Sequence, residues 1–383
     1  MSYYGSSYWR GRWASWRDMR AGRRDRANAR WGWLRVPGER GPVLWMQGFS
    51  RPGDLHLGTD LARAISDRRR DLRMILTFEQ EFSDIFPGAA HGIARLGYGF
   101  GPCAHPLALK KTLERLQPFR YLALGQPAPQ PLQRLLGQRR IPAVAMGCAP
   151  GPGALAGIWE AVYPRGLRQY AGWDVLGLGE RLLPPVDFQT LVTIAQVEPN
   201  FRNLVMGSHG DSLFWVTGLG PADWPSWLSA WRKWKAGGRS LLFLEGAGAP
   251  EGLPRLSRWD RQILSPGSVV CVDETRWHPA LSASADAIHL QGGEVSLLWQ
   301  VFASGHPLSA ESGLAWDLPM EIRAEARVPV LSGPAAIMQW WENVLADPMA
   351  GRQQGDEYRR LFWQARREAG DRLPEFLQRV FDW

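Results

Sequence analysis

From Gly41 onward the chain repeats one pattern, and that pattern restricts the fold more than any other feature. A short apolar run is followed by a turn rich in Gly, Pro, Ser or Asp, and then by a stretch with helical spacing. Val43–Phe49 is such a run, Ser50–Asp54 the turn, and Leu55–Arg69 the helix. Met74–Thr77, Tyr121–Leu124 and Ala143–Met146 read as further strands, with helices at Leu107–Leu116 and Pro131–Gln138. Ala94–Gly97 leads into a loop over Tyr98–Pro106. Strands separated by helices pair in parallel, with the helices packed on both faces of the sheet. Breaks at Pro150-Gly151-Pro152-Gly153 and at Pro184-Pro185 end this series. A second series opens near Leu213: strand Leu213–Thr217, loop Gly218–Asp223, helix Trp224–Lys235, strand Leu241–Glu245. Short strands at Val269–Val272 and Ala287–Leu290, a helix at Leu297–Ala303 and a long amphipathic helix near 357–381 complete it.

With 383 residues the chain can bury two cores. The expected organisation is α/β: a basic leader over 1–40, an N-terminal Rossmann-like domain over 41–200, a C-terminal one over 201–350, and a terminal helix over 351–383. No internal sequence repeat occurs. The net charge is +8, but residues 1–40 hold ten Arg against Asp18, Asp25 and Glu39, so the excess belongs to the leader and the remainder is nearly neutral. Only four of 45 basic residues are Lys, which reads as coding bias rather than selection for phosphate contacts. No fold-level RNA-binding motif supports a nucleic-acid partner. Within the leader, Trp9, Trp13 and Trp16 recur at helical spacing among Arg10, Arg12, Arg17, Arg23 and Arg24. Such a helix suits a bilayer surface, or docks on its own domain or on a protein partner, and the sequence leaves these open. No run of eighteen apolar residues occurs and the leader lacks the apolar block of a signal peptide. This points to the cytoplasm, peripheral on the inner membrane if the leader binds lipid. Cys103, Cys148 and Cys271 lie far apart without a CxxC pair, and His278, His289 and His306 lack metal spacing, so no disulfide, metal or other cofactor is expected.

The stretch Arg30–Asp54, RWGWLRVPGERGPVLWMQGFSRPGD, resembles the start of the bacterial 3-deoxy-D-manno-octulosonic acid (Kdo) transferases. The resemblance continues at family spacings through DLARAI, DLRMILT, Gly97–Tyr98, HPLALKKTLERLQP, RYLAL and RRIPAVAM, covering most of residues 30–146. In the second half LLFL, the interval from Asp273 to Asp286, Gly292-Gly293, Ala303–Pro307 and LADP at 345–348 fall at equivalent places. The family implies the GT-B fold, two Rossmann-like domains facing a cleft, and transfer of an activated sugar. It implies Asp54 as the general base in place of the family's Glu, on an acceptor-side turn with Ser50 and Gly53. It also implies a nucleotide-sugar donor near Asp273, Gly292, Gly293 and Gln300.

Several of the family's polar motifs are replaced. The acidic segment after Tyr121–Leu124 is Gly125-Gln126-Pro127-Ala128-Pro129, and the phosphate loop after Leu241–Leu244 is Glu245-Gly246-Ala247-Gly248. Gln300 stands where the family has an acid, and Arg276-Trp277 where it has Gly-Glu. CMP-Kdo therefore does not carry over as the donor. Asp54 has a second expected role as N-cap of the helix from Leu55. Arg276 could supply a lost phosphate cation, while His209 fits a linker turn. Trp224, Trp227, Trp231 and Trp234 share one helical stripe, expected to be core in part and contact surface in part. Two functions follow. One is a Kdo-transferase-like glycosyltransferase acting on a lipid or glycan acceptor at the cytoplasmic membrane face. The other is a catalytically inactive GT-B subunit serving assembly or interaction.

Overall fold

The computed structural model describes residues 3–34, 36–38, 40–49, 52–79, 92–192, 200–207, 212–292, 295–312 and 317–381. Ser50, His209 and Gly293 lie outside the described residues. The chain divides into two compact units: 1–192 with 317–320 and 366–383, and 193–316 with 321–365.

The first unit opens with helices α1 (Tyr3–Arg20) and α2 (Arg24–Ala29). Its six strands are β1 (Val43–Phe49), β2 (Arg73–Phe78), β3 (Leu96–Phe100), β4 (Pro118–Leu124), β5 (Ala143–Met146) and β6 (Trp159–Tyr163). Between them run α3 (Pro52–Arg68), α4 (Pro106–Leu116) and α5 (Gln130–Gln138), and α6 (Leu167–Asp174) follows β6. All pairings are parallel, in the order β3-β2-β1-β4-β5-β6. That is the doubly wound order, which reverses direction between β1 and β4. Alternation along the strands sorts the core. Leu44, Met46, Leu122 and Leu124 pack with Leu55, Ile65, Phe188 and Phe376 on one face. Trp45, Tyr121 and Ala123 pack with Leu113, Leu132 and Trp159 on the other.

The second unit repeats the plan. It contains α7 (Phe201–Met206), β7 (Leu213–Leu219), α8 (Trp224–Lys233), β8 (Leu241–Gly246), β9 (Val269–Val272), α9 (His278–Ser284), β10 (Ala287–Leu290) and α10 (Val295–Ser304). β11 (Leu308–Glu311), α11 (Met320–Glu325), β12 (Val330–Leu331) and α12 (Pro334–Ala346) follow. The order β12-β11-β10-β7-β8-β9 reverses between β7 and β10. One face of the sheet is covered by indoles: Trp224, Trp227, Trp231 and Trp341 pack on Phe214 and Val216. The expected Trp stripe is therefore largely core, with Trp234 half-buried and donating its indole N–H to Glu342 at 2.6 Å. The terminal helix α13 (Pro348–Phe381) is partitioned, its first half within the second unit and 366–381 within the first.

The leader helix is docked rather than separate. Tyr8, Gly11, Ser15 and Asp18 form its inner face. Tyr8 meets the rings of Trp31 and His105, and Asp18 is buried and accepts from Arg30 at 2.6 Å. Gly11 leaves room for Cys103, whose Sγ would lie 3.3 Å from an added Cβ.

Trp341 is fully buried, stacked on Phe214 at 4.4 Å between ring centres. Trp341→Ala should cost about 3–5 kcal/mol, read as a lower denaturant midpoint with α/β secondary structure retained in circular dichroism before the transition.

Candidate functional site

In parallel sheets, every strand of one direction delivers its following loop to a single edge, and ligands gather where the order reverses. In the first unit that place holds Asp54, which follows β1, and Gly125, which follows β4. Asp54 lies in the first turn of α3, which starts at Pro52 rather than Leu55, so it is inside the helix rather than its cap. A carboxylate there is favoured by the exposed N–H groups of the helix start. Its side chain is nearly fully enclosed. Oδ1 accepts from Gln189 Nε2 at 2.7 Å and faces Arg165 Nη2 at 3.5 Å. Arg165, just beyond β6, also meets Asp187 at 3.4 Å, so one buried guanidinium bridges two buried carboxylates. Gln169 fixes the same corner, accepting from the Arg165 backbone N–H and donating to the Gly147 carbonyl.

Two glycines make the space. Gly125 has φ +72°, and a Cβ there would overlap the Asp54 carboxylate. Gly147 has φ +64°, with Arg165 against the position a Cβ would take. Cys148 lies alongside. Burial, reinforced by the Asp54 carboxylate, pushes its thiol up to about 12 despite the opposing pull of Arg165. The acceptor-side Gly53 is buried in the same turn. Sequence reasoning singled out Asp54 but missed Arg165, Asp187 and Gln189. They come from 111 to 135 residues away, and no local spacing announces them.

In the second unit the reversal lies between β7 and β10, and the backbone closes it. Gly218 has φ +80°, and a Cβ there would overlap the Gly292 backbone. Thr217 Oγ1 donates to the Gly292 carbonyl at 3.0 Å, and Trp227 donates to Gln291 at 3.1 Å. The turn into α8 bends through Gly218-Leu219-Gly220, but Asp223 accepts from the Gly220 N–H at 2.7 Å. Its negative charge stands where a helix start would otherwise attract phosphate.

An open space lies beside it, at the carboxyl ends of β8 and β9. A cavity of about 450 Å³ is lined there by Glu245, Gly246, Gly248, Arg255, Asp273 and Glu274, among others. Glu245 Oε1 lies 2.8 Å from His278 Nε2, while Oε2 is buried and, among the described residues, has no hydrogen-bond partner. Asp273 accepts from both the backbone N–H and the hydroxyl of Ser257, with Arg255 at 3.8 Å. Arg276 pairs with Glu274 and lies over the Trp277 ring, so its charge is already answered.

Of the residues expected at the donor, Asp273 lines this cavity. Gly292 lies on the same edge but three strand spacings away, about 14 Å. Gln300 is half-buried on α10, and its buried Nε2 has no hydrogen-bond partner among the described residues. Asp273 thus follows β9, Gly292 follows β10 and Gln300 lies within α10. Glu245 and His278 were missed as a pair, although Glu245 has a sequence signal: it ends the second strand after a Gly-x-Gly turn. No group of three or more His, Cys, Asp or Glu able to hold a metal occurs among the described residues.

No protein-family model and no curated protein matches the chain. Solved structures do match. A Staphylococcus aureus MnaA–UDP co-structure superposes with a TM-score of 0.60 at 9% identity, covering 89% of this chain and 98% of that one. The UDP-GlcNAc 2-epimerase of Neisseria meningitidis bound to UDP-GlcNAc gives 0.59 at 10% identity, covering 87% and 100%. Phytolacca americana UGT2, complexed with UDP-2-fluoro-glucose and pterostilbene, gives 0.54 at 12% identity, covering 88% and 99%. These likenesses establish the fold, α/β and GT-B-like, over nearly the whole chain.

Three outcomes test the geometry. Arg165→Met strands two buried carboxylates and should cost about 3–5 kcal/mol, measured by urea unfolding at pH 7. Native protein treated with a thiol reagent at pH 8 should leave Cys148 unlabelled until denaturant is added, as peptide mapping would show. His289, buried on β10 with Nδ1 3.0 Å from Ser309 Oγ, has its pKa pushed by burial down to about 4 against the pull of Glu311. An unfolded His titrates near 6.5. Between these values the unfolded chain binds a proton that the native one refuses. Stability is therefore lost as pH falls from about 6.5 to 4, by roughly 3 kcal/mol. Titrating stability against pH should show a shallower fall in this window for His289→Gln.

Proposed function

We propose that the chain binds a nucleotide sugar in its second unit. We further propose that it acts as a glycosyltransferase-like protein related to Kdo transferases, moving the sugar to a lipid or glycan acceptor at a membrane face. The observation that carries this reading is the cavity beyond β8 and β9. Its volume falls in the range of small-ligand sites. Its acids suit hydroxyl groups: an ionised carboxylate is an acceptor only, and a sugar or ribose presents donors. Glu245 lines the cavity with its Oε1 held by His278, and its carboxylate would accept from such a hydroxyl. Asp273, already held by Ser257, would line the sugar side, and Gly292 and Gln300 would lie along the same edge. The solved neighbours described with UDP or a UDP-sugar bound add support for that ligand class. In this reading Asp54 is the base on the acceptor side, with Ser50 and Gly53 shaping its turn.

A second reading has a specific observation behind it. Asp54 is enclosed and held by Arg165 and Gln189. A carboxylate in that state supports packing as readily as proton transfer, which fits a GT-B subunit without catalysis, serving assembly.

Calorimetric titration with UDP, CMP and their sugars separates the two. Binding that weakens about tenfold or more in Glu245→Gln, the scale of one charge-assisted hydrogen bond, supports the first reading. Turnover of a bound sugar that disappears in Asp54→Asn, with binding retained, assigns the base. An absence of binding to every nucleotide sugar tried would sink the first reading and leave the second.

A further inference from the structure

The inner face of α1 is spent on its own unit, which fixes what its outer face presents. Tyr8, Gly11, Ser15 and Asp18 point inward. On the opposite side, at i, i+4 and i+7, Trp9, Trp13 and Trp16 are 68%, 59% and 51% exposed. Three adjacent indoles left in water on a docked helix form a patch that the fold itself does not use. The charges around it are of one sign. Arg12, Arg17 and Arg20 are exposed along the stripe, and the guanidinium groups of Arg17 and Arg20 lie 5.0 and 4.3 Å from the rings of Trp13 and Trp16. The only acid of the helix, Asp18, is turned inward and paired with Arg30. Residues 1–40 carry almost the whole net charge of the chain.

We propose that this face of α1 docks the protein onto an anionic lipid bilayer, with Trp9, Trp13 and Trp16 at headgroup depth. The chemistry selects the occupant. Indole has an apolar body and one N–H donor, and it prefers the boundary between hydrocarbon and water to either phase. Arg beside it reaches lipid phosphate, and the guanidinium fork pairs with phosphate oxygens. No helix among the described residues is long and apolar enough to cross a membrane, so the attachment is peripheral in form. An acidic protein partner would satisfy the Arg but has no need of three indoles along one line. A nucleic acid would meet Trp on a convex, rigid helix rather than in a groove that tracks its backbone. This inference does not depend on the sugar-nucleotide reading.

The test is co-sedimentation of the full chain with vesicles of phosphatidylcholine mixed with phosphatidylglycerol, against phosphatidylcholine alone. Wild-type protein should pellet with the mixed vesicles, with a blue shift of tryptophan emission and loss of binding at high salt. Trp9→Ser/Trp13→Ser/Trp16→Ser should lower the partition coefficient about tenfold or more while circular dichroism shows the native fold retained, since all three rings are largely exposed and Trp9 meets the inner face only at the edge of Tyr8. Arg12→Gln/Arg17→Gln/Arg20→Gln should abolish the preference for the anionic vesicles. Failure of the wild type to pellet with either vesicle overturns the proposal. So does binding that survives the triple Trp substitution, or binding to single-stranded RNA that loses as much affinity as lipid binding does in that variant.

Discussion

Parallel pairing of β1 with β4, and of β7 with β10, is the constraint on which the rest depends. Parallel neighbours cannot be joined by a tight turn, so each connection must climb back through a helix. Both sheet faces are then roofed, and the strands become continuous apolar runs with no solvated side. Among the described residues, the carboxyl ends of all six strands fall on one edge of each sheet. Asp54, Gly125, Gly147 and Arg165 collect on that edge in the first unit, and Glu245, Asp273 and Gly292 on that of the second. Neither collection exists in the sequence as a motif; each is made by the winding.

The two edges use charge in opposite ways. In the first, a guanidinium is buried between two carboxylates, and the cost of taking these ions out of water is offset only because each has a partner. In the second, the acids surround open space. Glu245 is anchored through one oxygen, while Asp273 is anchored by a serine and an arginine. A locked triad supports shape, and acids at the wall of a cavity support recognition. The reversal point of the second sheet illustrates a third option: Gly218 and Gly292 let two backbones touch, and Asp223 then places negative charge at the start of α8. That helix start is thereby already faced by negative charge, and the cavity at β8 and β9 lies one strand outward.

Most of the first sheet was legible because its strands are bracketed by Gly, Pro and helical periodicity. The α/β class followed from that alternation, and the GT-B expectation from the family resemblance. β6 (Trp159–Tyr163) and the short β11 and β12 were not read. Their apolar runs are brief, and Trp159 and Trp173 resemble the scattered aromatics of the surrounding loops. The stripe of Trp224, Trp227 and Trp231 was read correctly as a stripe, but periodicity could not tell which side faced the sheet until Phe214 and Trp341 were seen against it. For the site, Asp54 and Asp273 were singled out through the family resemblance. Their partners were not, because Arg165, Gln189, Ser257 and His278 reach them through space from other loops. The leader was legible as basic and aromatic, but its attachment through Tyr8, Gly11, Ser15 and Asp18 has nothing local to mark it.

The first unit is discontinuous: it closes with 366–383, after the whole second unit has intervened. Phe376 and Leu377 pack against the same sheet face as Leu44, Met46 and Leu55. On a ribosome the first 192 residues emerge long before these two side chains exist, by roughly 10–40 s at ordinary synthesis rates. During that interval one wall of a finished sheet stands open to water. A copy that stops short at residue 365 carries the same open wall permanently.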